Sequence, residues 1–317
     1  MKYLSFAVEG RSSFGAVFGS QVVDLGARFT EVRDLREFIQ INAYEQPLVD
    51  KLMGNSDYNL DEVDFLPTIP NPEKIVCIGV NYANRNAEYK DDSEEPEYPS
   101  VFMRSRESLV GHREAILDPP ESDQLDYEGE IVLVIGKEGR RIPESEVHHY
   151  VAGTSVMNEG SVRDYLRHAK FNVTQGKNFE KSGSLGPWMV TADELNPFDE
   201  MQVITRVNGD ERQNDVTTNL MFSFRYLVSY LSTFFRLKPG DLILAGTNHG
   251  NLGPLQDGDF AEIEIEKVGR SSQHIVDSLK RSWDPHELRD PKLNAERREG
   301  MKALPNNGTW PFQPKGG

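Results

Sequence analysis

The most informative feature of this sequence is a short acidic segment that runs directly into an apolar strand. Residues 126–130 read Asp-Tyr-Glu-Gly-Glu, and the apolar run 131–136 follows at once. Successive side chains of a strand point to opposite faces, so Glu128 and Glu130 project from the same face. Two like charges at the edge of a core are stable only when a positive group lies between them. The simplest such group is a divalent cation.

The oxygen ligands narrow the kind of metal. Carboxylates suit Mg²⁺, Mn²⁺ or Ca²⁺, whereas Zn²⁺ usually takes His or Cys ligands. A third acid, Glu159, lies further along, in a polar turn before a predicted helix at residues 165–167. A bare Glu-x-Glu is more often a solvated strand end than a metal site. The metal prediction therefore depends on the motifs around these residues.

Those motifs resemble, in the same order, the motifs of the fumarylacetoacetate hydrolase family, from about residue 70 to residue 276. The first four are Ile-Gly-Val-Asn-Tyr at 78–82, Tyr-Pro-Ser-Val-Phe at 98–102, the segment 126–136 and the segment 158–164. The second four are Gly-Lys-Asn-Phe at 176–179, Leu-Gly-Pro-Trp at 185–188, Val-Asn-Gly at 207–209 and the segment 237–247. Chance agreement of so many ordered motifs is improbable, and the chain is identified as a member of this family.

The resemblance implies an α+β, β-rich fold, with the family's mixed β roll, flanking helices and a small N-terminal domain. We predict that this domain covers residues 1–68, a metal-dependent catalytic domain 69–276 and a polar C-terminal tail 277–317. Near the N-terminus, strand-like runs at 4–8, 15–19 and 21–25 precede a helical pattern at 32–41. In the catalytic domain, strand-like runs lie at 131–135, 202–207, 242–245 and 261–265, and the clearest helix is 220–235.

The family's site residues can be matched to positions in this chain. Its metal, usually Mg²⁺ or Mn²⁺, is held at positions matching Glu128, Glu130 and Glu159. Members more often carry Asp at the third position, so the side chain of Glu159 is one methylene longer. The family lysine, close to the metal and the substrate, matches Lys177. Thr247 matches a position that binds the carboxylate end of the substrate.

One departure from the family affects the expected general base. After the Asn-Tyr pair many members carry His and, three residues later, Glu, whereas this chain has Arg85 and retains Glu88. Arginine stays protonated at physiological pH and cannot act as a general base. Three replacements stay open: Glu88 with a raised pKa, a metal-bound hydroxide, and His249 beside Thr247.

Arginines near the matched motifs are candidates for binding an anionic substrate. A guanidinium fork suits a carboxylate better than a point charge does. We predict substrate contacts from Arg85 and from Arg104, which lies where many members have Lys. For Arg163 we predict instead an ion pair with the adjacent Asp164 that orders a helix start.

These features predict an enzyme that acts on a small anionic oxo acid. A 2-oxo acid or β-dicarbonyl compound chelates a divalent ion, which stabilises the enolate formed when a neighbouring bond breaks. The leading prediction is a hydrolase that cleaves a carbon–carbon bond in an acylpyruvate-type β-diketo acid, in the breakdown of aromatic compounds. An isomerase or decarboxylase of a 2-oxo acid is the alternative, which Arg85 favours because those reactions need no activated water. A third reading is a non-catalytic metal-binding protein.

The composition argues against several other functions. The formal net charge of −16 disfavours a nucleic-acid surface, which needs a basic stripe. No apolar run approaches the ~18 residues of a membrane span, and no glycine fingerprint or phosphate loop predicts a nucleotide cofactor. Cys77 is the only cysteine, so no disulfide can form within the chain. We expect a cytoplasmic enzyme, and the family resemblance implies a homodimer.

Overall fold

The computed structural model of the 317-residue chain describes residues 1–45, 56–83, 96–167, 173–248 and 252–283. Short strands dominate these residues. The strands of the first half are β1 (Lys2–Val8), β2 (Arg11–Phe18), β3 (Gln21–Asp24), β4 (Tyr58–Asn59), β5 (Asp64–Phe65), β6 (Ile75–Gly79), β7 (Ser100–Met103), β8 (Leu109–Val110), β9 (Ile116–Asp118) and β10 (Leu125–Asp126). Those of the second half are β11 (Gly129–Ile135), β12 (Val151–Asn158), β13 (Ser161–Val162), β14 (Gly183–Leu185), β15 (Met189–Thr191), β16 (Gln202–Val207), β17 (Asp210–Val216), β18 (Leu242–Leu244), β19 (Phe260–Ile265) and β20 (Gly269–Asp277).

The helices between these strands are short. The α-helices are α1 (Leu25–Arg28), α2 (Leu35–Gln40), α3 (Thr174–Lys177) and α4 (Phe224–Ser232). Short 3₁₀ helices cover Ala43–Glu45, Arg106–Ser108, Glu144–His149, Tyr165–Arg167 and Thr217–Asn219. Among the described residues, no helix combines the length and apolar content needed to cross a membrane.

Two sheets account for most of the described strands. The larger has thirteen strands along the path β4-β3-β2-β1-β15-β12-β11-β18-β6-β7, with β5, β8 and β14 attached beside it. The smaller has five strands in the order β17-β16-β19-β20-β9, and β10 pairs separately with β13. This strand-rich arrangement with few helices confirms the predicted α+β fold class.

Strand β11 lies at the centre of the molecule, and both of its faces are buried. Its side chains alternate between two hydrophobic clusters: Ile131, Leu133 and Ile135 belong to one, and Val132 and Val134 to the other. The first cluster includes side chains from the smaller sheet and α4, and the second includes side chains from β1, β2 and α2. A strand covered on both faces explains the continuous apolar run after the acidic segment.

The N-terminal strands continue the larger sheet. Strand β1 pairs antiparallel with β15, with Lys2 opposite Val190. Tyr3 and Phe14 belong to the same buried cluster as Met157 of β12. The N-terminal segment therefore packs directly against the sheet that carries the acidic segment, and the domain boundary at residue 68 stays a prediction.

The predicted strands agree closely with the structure, but the predicted helices are longer than the observed ones. The helical pattern at 32–41 corresponds to α2, which covers only Leu35–Gln40. Residues 202–207 form β16 with the predicted bounds. Residues 220–235 were expected to be one helix, whereas α4 covers only Phe224–Ser232. Ser223 begins the helix, because its hydroxyl accepts a hydrogen bond of 3.2 Å from the backbone N–H of Tyr226. The predicted helix at residues 165–167 is a single 3₁₀ turn.

Candidate active site

Three carboxylates meet at one end of the β11–β12 pair. The register places Gly129 opposite Asn158, which brings Glu128 and Glu130 beside Glu159. One oxygen from each carboxylate lies within 4.8 Å of the other two, and all three side chains are buried. The backbone N–H of Glu159 donates to the carbonyl of Glu128 at 2.7 Å, and the N–H of Glu128 donates to Asn158 Oδ1 at 3.0 Å. The ends of two strands thus fix the cluster.

Gly129 allows the smaller sheet to approach the cluster closely. A Cβ atom at this position would lie 2.3 Å from Thr205 Oγ1 of β16 and 3.2 Å from Ile263 Cγ2 of β19. Real Cβ contacts do not reach the shorter of these distances, so a larger residue would push the two sheets apart. The Glu-Gly-Glu order therefore combines two same-face acids with a close contact on the opposite face.

Lys177, the last residue of α3, supplies positive charge to the cluster. Its Nζ atom donates to Glu128 Oε2 and to Glu159 Oε2, at 2.6 Å each. Burial by itself would lower the pKa of Lys177, but the charges of Glu128 and Glu159 outweigh burial and raise it. The side chain is therefore an ammonium ion held between two carboxylates.

Arg163 supplies a second cation, and its partners correct a prediction. Its Nε lies 2.6 Å from Asp126 Oδ2, and its Nη2 lies 2.5 Å from Glu128 Oε1. The predicted partner is Asp164, whereas these contacts join Arg163 to Asp126 and Glu128, and Asp164 accepts a hydrogen bond of 2.7 Å from the hydroxyl of Ser122. The pairing of β10 with β13 brings Asp126 close to Arg163, although the two residues lie far apart in the sequence.

The carboxylate oxygens of Glu130 and Glu159 that do not contact Lys177 indicate a binding site for an additional cation. Glu130 Oε2 accepts the backbone N–H of Gly246 at 3.0 Å, and burial, followed by the charges of Glu159 and Glu128, raises the pKa of Glu130 well above its ordinary value. Glu159 Oε1 is buried without a hydrogen-bond partner among the described residues, and Arg104 Nη1 lies 3.9 Å away. A buried carboxylate oxygen without a partner is costly. This oxygen-only donor set fits a hard divalent cation.

Arg104 is buried beside Glu159. Its guanidinium donates to the carbonyl of Gly160 at 2.9 Å and to the hydroxyls of Ser108 and Ser182 at 3.1 and 3.2 Å. The side chain is fully buried and does not line the described part of the site cavity. Arg104 therefore supports the turn that carries Glu159, and its contact with substrate stays a prediction. Arg163 lines the cavity instead.

A cavity of about 120 Å³ opens onto the carboxylates. Its lining combines the acidic cluster, the two cations and an apolar wall: Glu128, Glu130, Glu159, Arg163, Lys177, Thr247, Ile78, Gly79, Val80, Phe102, Leu166 and Val173. The structure thus brings together five of the predicted site residues, which are the three acids, Lys177 and Thr247. The predicted residues Arg85, Glu88 and His249 lie outside the described residues.

Two residues that the sequence analysis did not predict contact this site. Asp126 orients Arg163, and its place at the start of the acidic segment was a signal that could have been used. Gln213 donates to the Thr247 hydroxyl at 2.9 Å. It lies in β17, whose sequence Asp-Glu-Arg-Gln-Asn-Asp-Val is too polar to have indicated a buried residue.

The comparisons with known proteins agree with this geometry. Residues 74–276 match the family described as fumarylacetoacetate (FAA) hydrolase C-terminal, and the chain belongs to this family. Oxaloacetate tautomerase YisK of Bacillus subtilis is 35% identical over 70% of this chain and 76% of its own length. Oxaloacetate tautomerase Fahd2a, mitochondrial, of Rattus norvegicus is 35% identical over 68% of this chain and 70% of its own length.

A solved structure supports the same assignment. The fumarylacetoacetate hydrolase of psychrophilic Exiguobacterium antarcticum superposes with a TM-score of 0.77 at 27% identity, over 87% of this chain and 99% of that protein. The predicted family membership and the predicted enzymatic nature are both confirmed. The chain is an enzyme of the fumarylacetoacetate hydrolase type, which includes carbon–carbon bond hydrolases, isomerases and decarboxylases.

Proposed function

We propose that this enzyme catalyses the keto–enol tautomerisation of a short 2-oxo dicarboxylic acid of the oxaloacetate type. The observation that carries the proposal is the placement of the Lys177 ammonium beside the buried acidic cluster, in one small cavity. This proposal takes up the isomerase alternative of the sequence analysis in preference to the hydrolase.

The arrangement suits a reaction that passes through an enolate. Lys177 is held at 2.6 Å from Glu128 and from Glu159, so its charge is fixed before a substrate enters. A fixed cation in a buried site stabilises developing negative charge on an enolate oxygen without reorganisation. A divalent cation held by Glu128, Glu130 and Glu159, with Mg²⁺ or Mn²⁺ as the leading choices and Ca²⁺ also open, would polarise the keto oxygen.

The arginine at the position of the family's histidine base favours tautomerisation over hydrolysis. Hydrolysis needs an activated water, and Arg85 stands at the position where many family members carry His. The side chains that line the described part of the cavity include no histidine. Tautomerisation only moves a proton between carbon and oxygen, for which a carboxylate such as Glu88 suffices. The oxaloacetate tautomerases of Bacillus subtilis and Rattus norvegicus, both similar to this chain, support this choice.

The size and polarity of the cavity favour a small dianion. About 120 Å³ is less than the roughly 300–1,000 Å³ of sites for drug-sized ligands. In our proposal the Thr247 hydroxyl binds one carboxylate, and Lys177 and Arg163 offset the negative charge of the acids. The homodimer, the cytoplasmic location and a role in aromatic breakdown stay predictions.

The test compares two substrates with one purified protein supplied with Mg²⁺ or Mn²⁺. We expect faster loss of the ultraviolet absorbance of enol-oxaloacetate than in buffer, and no release of pyruvate from acetylpyruvate. Lys177→Met, which keeps most of the unbranched side chain but removes the ammonium, should lower the rate to that of buffer. Cleavage of acetylpyruvate without any effect on oxaloacetate would overturn the proposal. That outcome would favour the hydrolase, the second candidate, which the likeness to the Exiguobacterium antarcticum enzyme supports.

A further inference from the structure

Gln213 connects the two halves of the candidate active site. Its side chain is buried, with 1% of its surface exposed, and it extends from β17 of the smaller sheet. The Oε1 atom accepts the backbone N–H of Gly129 at 3.0 Å. The Nε2 atom donates to Thr247 Oγ1 at 2.9 Å and also to the carbonyl of Asn248. One amide thus contacts the residue between Glu128 and Glu130 and the turn that carries Thr247.

An irregularity in the smaller sheet brings this side chain into the interior. The register between β16 and β17 shifts after Thr205. Thr205 pairs with Gln213, but the next residue, Arg206, pairs with Glu211. The extra residue in β17 is Arg212, and both Arg212 and Gln213 are buried in place of the usual alternation. A bulge re-aims the side chains beside it. Gln213 can therefore contact the larger sheet from an edge strand.

The amide can adopt only one orientation with these partners. A backbone N–H donates and cannot accept, so the Gly129 N–H requires the carbonyl oxygen of Gln213 on its side. The amide NH₂ then faces Thr247, whose hydroxyl oxygen must accept there. The hydroxyl proton consequently points away from Gln213, and in the structure it is donated to the Asn248 carbonyl at 2.9 Å.

The same amide leaves the Thr247 proton available for a ligand. Gln213 Nε2 also donates to the Asn248 carbonyl, so this acceptor keeps a partner when the hydroxyl turns away. Thr247 lines the cavity, whereas Gln213 lies behind it. A ligand carboxylate in the cavity only accepts hydrogen bonds, and a hydroxyl with a free proton direction matches it.

We propose that Gln213 is a positioning residue that keeps Thr247 as a hydrogen-bond donor to the substrate carboxylate. Through Gly129 it also fixes the distance between Thr247 and the acidic cluster. This inference rests on the proposed function in one respect, which is that Thr247 binds a carboxylate. Gln213 acts through Thr247 and does not touch the substrate.

The test uses two replacements of Gln213 with different consequences for Thr247. Gln213→Glu keeps the shape but offers an oxygen acceptor, to which the Thr247 hydroxyl would donate. Gln213→Met keeps the volume, introduces no charge and removes all three hydrogen bonds. The probe is oxalate, a planar dianion, whose binding to the Mn²⁺-loaded protein is measured by calorimetry. We expect both variants to weaken oxalate binding by about 10-fold or more, with smaller changes in the affinity for Mn²⁺ alone.

Combined variants separate a positioning role from a general structural role. In a Thr247→Val background, either replacement of Gln213 should change oxalate binding by less than about 2-fold. In a Thr247→Ser background, which keeps the hydroxyl, the full loss should return. An equal loss in the Val and Ser backgrounds would overturn the proposal, as would unchanged oxalate binding in Gln213→Met.

Oxalate binding and tautomerase activity together separate a failure of this inference from a failure of the proposed function. Oxalate binding that depends on Gln213 through Thr247, in a protein without tautomerase activity, would overturn the proposed function and leave this inference standing. Absence of oxalate binding by an Mn²⁺-loaded wild-type protein that tautomerises oxaloacetate would overturn this inference and leave the proposed function standing.

Discussion

Lys177 and Glu159 form a buried ion pair, with 2.6 Å between Nζ and Oε2, that joins the end of α3 to the turn after β12. The same ammonium lies 2.6 Å from Glu128 Oε2, so a single cation offsets the charge of two acids. Buried charges are tolerated only when they are paired and hydrogen-bonded. This relationship connects the stability of the fold with the chemistry of the site.

Replacement of Lys177 should therefore destabilise the metal-free protein. Lys177→Met leaves Glu128 and Glu159 buried without their shared cation, and we expect a loss of about 3 kcal/mol in the free energy of unfolding. Saturating Mn²⁺ should reduce the loss, since a bound cation offsets the same charges. Urea denaturation with and without Mn²⁺ measures both effects. Lys238→Met, which removes an exposed pair with Glu73, is the control and should leave the free energy of unfolding nearly unchanged. An equal cost for the two variants would contradict the prediction.

Gly129 offers a test of how closely the two sheets pack. Gly129→Ala places a Cβ 2.3 Å from Thr205 Oγ1, and we expect this overpacking to cost about 1–3 kcal/mol of stability. Thr205→Ala removes the clashing hydroxyl, so the double variant should recover part of that cost. Thermal unfolding of the single and double variants gives the coupling. Strictly additive effects would show that the contact between the sheets is not the cause.

His112 predicts a loss of stability in mild acid. Its ring packs edge-on against Phe65, and its Nδ1 accepts the backbone N–H of Ser272 at 3.1 Å. Burial, followed by the charge of Arg113, lowers the pKa of His112 from 6.5 to about 4. The unfolded chain therefore binds a proton at higher pH than the folded chain does. Stability from the neutral ring is complete above about pH 6.5 and decreases as the pH falls towards about 4.

The measurement compares the free energy of unfolding at about pH 8 and about pH 5. The wild-type protein should lose about 2 kcal/mol from this group over that interval. His112→Asn, whose Oδ1 can accept the same N–H, should lose correspondingly less. His148→Asn, at an exposed position of the 3₁₀ turn Glu144–His149, is the control and should behave like the wild type. Identical pH dependence in the wild type and His112→Asn would refute the assignment.

The sequence predicted those parts of the site that depend on local pattern or on family motifs. Alternation along a strand placed Glu128 and Glu130 on one face, and the matched motifs added Glu159, Lys177 and Thr247. The partners of the arginines were not accessible in this way, because they depend on contacts across the chain. Arg163 reaches Asp126 through the pairing of two short strands.

Other features depended on details that sequence patterns do not carry. Gln213 enters the interior only because of a bulge in a polar edge strand. The guanidinium of Arg104 donates hydrogen bonds to the Gly160 carbonyl and to two serine hydroxyls. No spacing in the sequence indicated these partners. The many apolar residues at 220–235 indicated a helix, but they did not indicate that α4 would begin only at Ser223. In each case tertiary contacts decided the outcome.

The metal site is tested most directly by measuring Mn²⁺ binding, with the electron paramagnetic resonance signal reporting the free ion. Loss of an outer hydrogen-bond partner of a metal site typically costs about 10–100-fold in affinity, so loss of a ligand should cost about 100-fold or more. We expect tight binding by the wild-type protein, such weakening in Glu130→Gln and Glu159→Gln, and loss of tautomerase activity when a chelator removes the metal. Unchanged Mn²⁺ affinity in both variants, or full activity in the presence of the chelator, would contradict it.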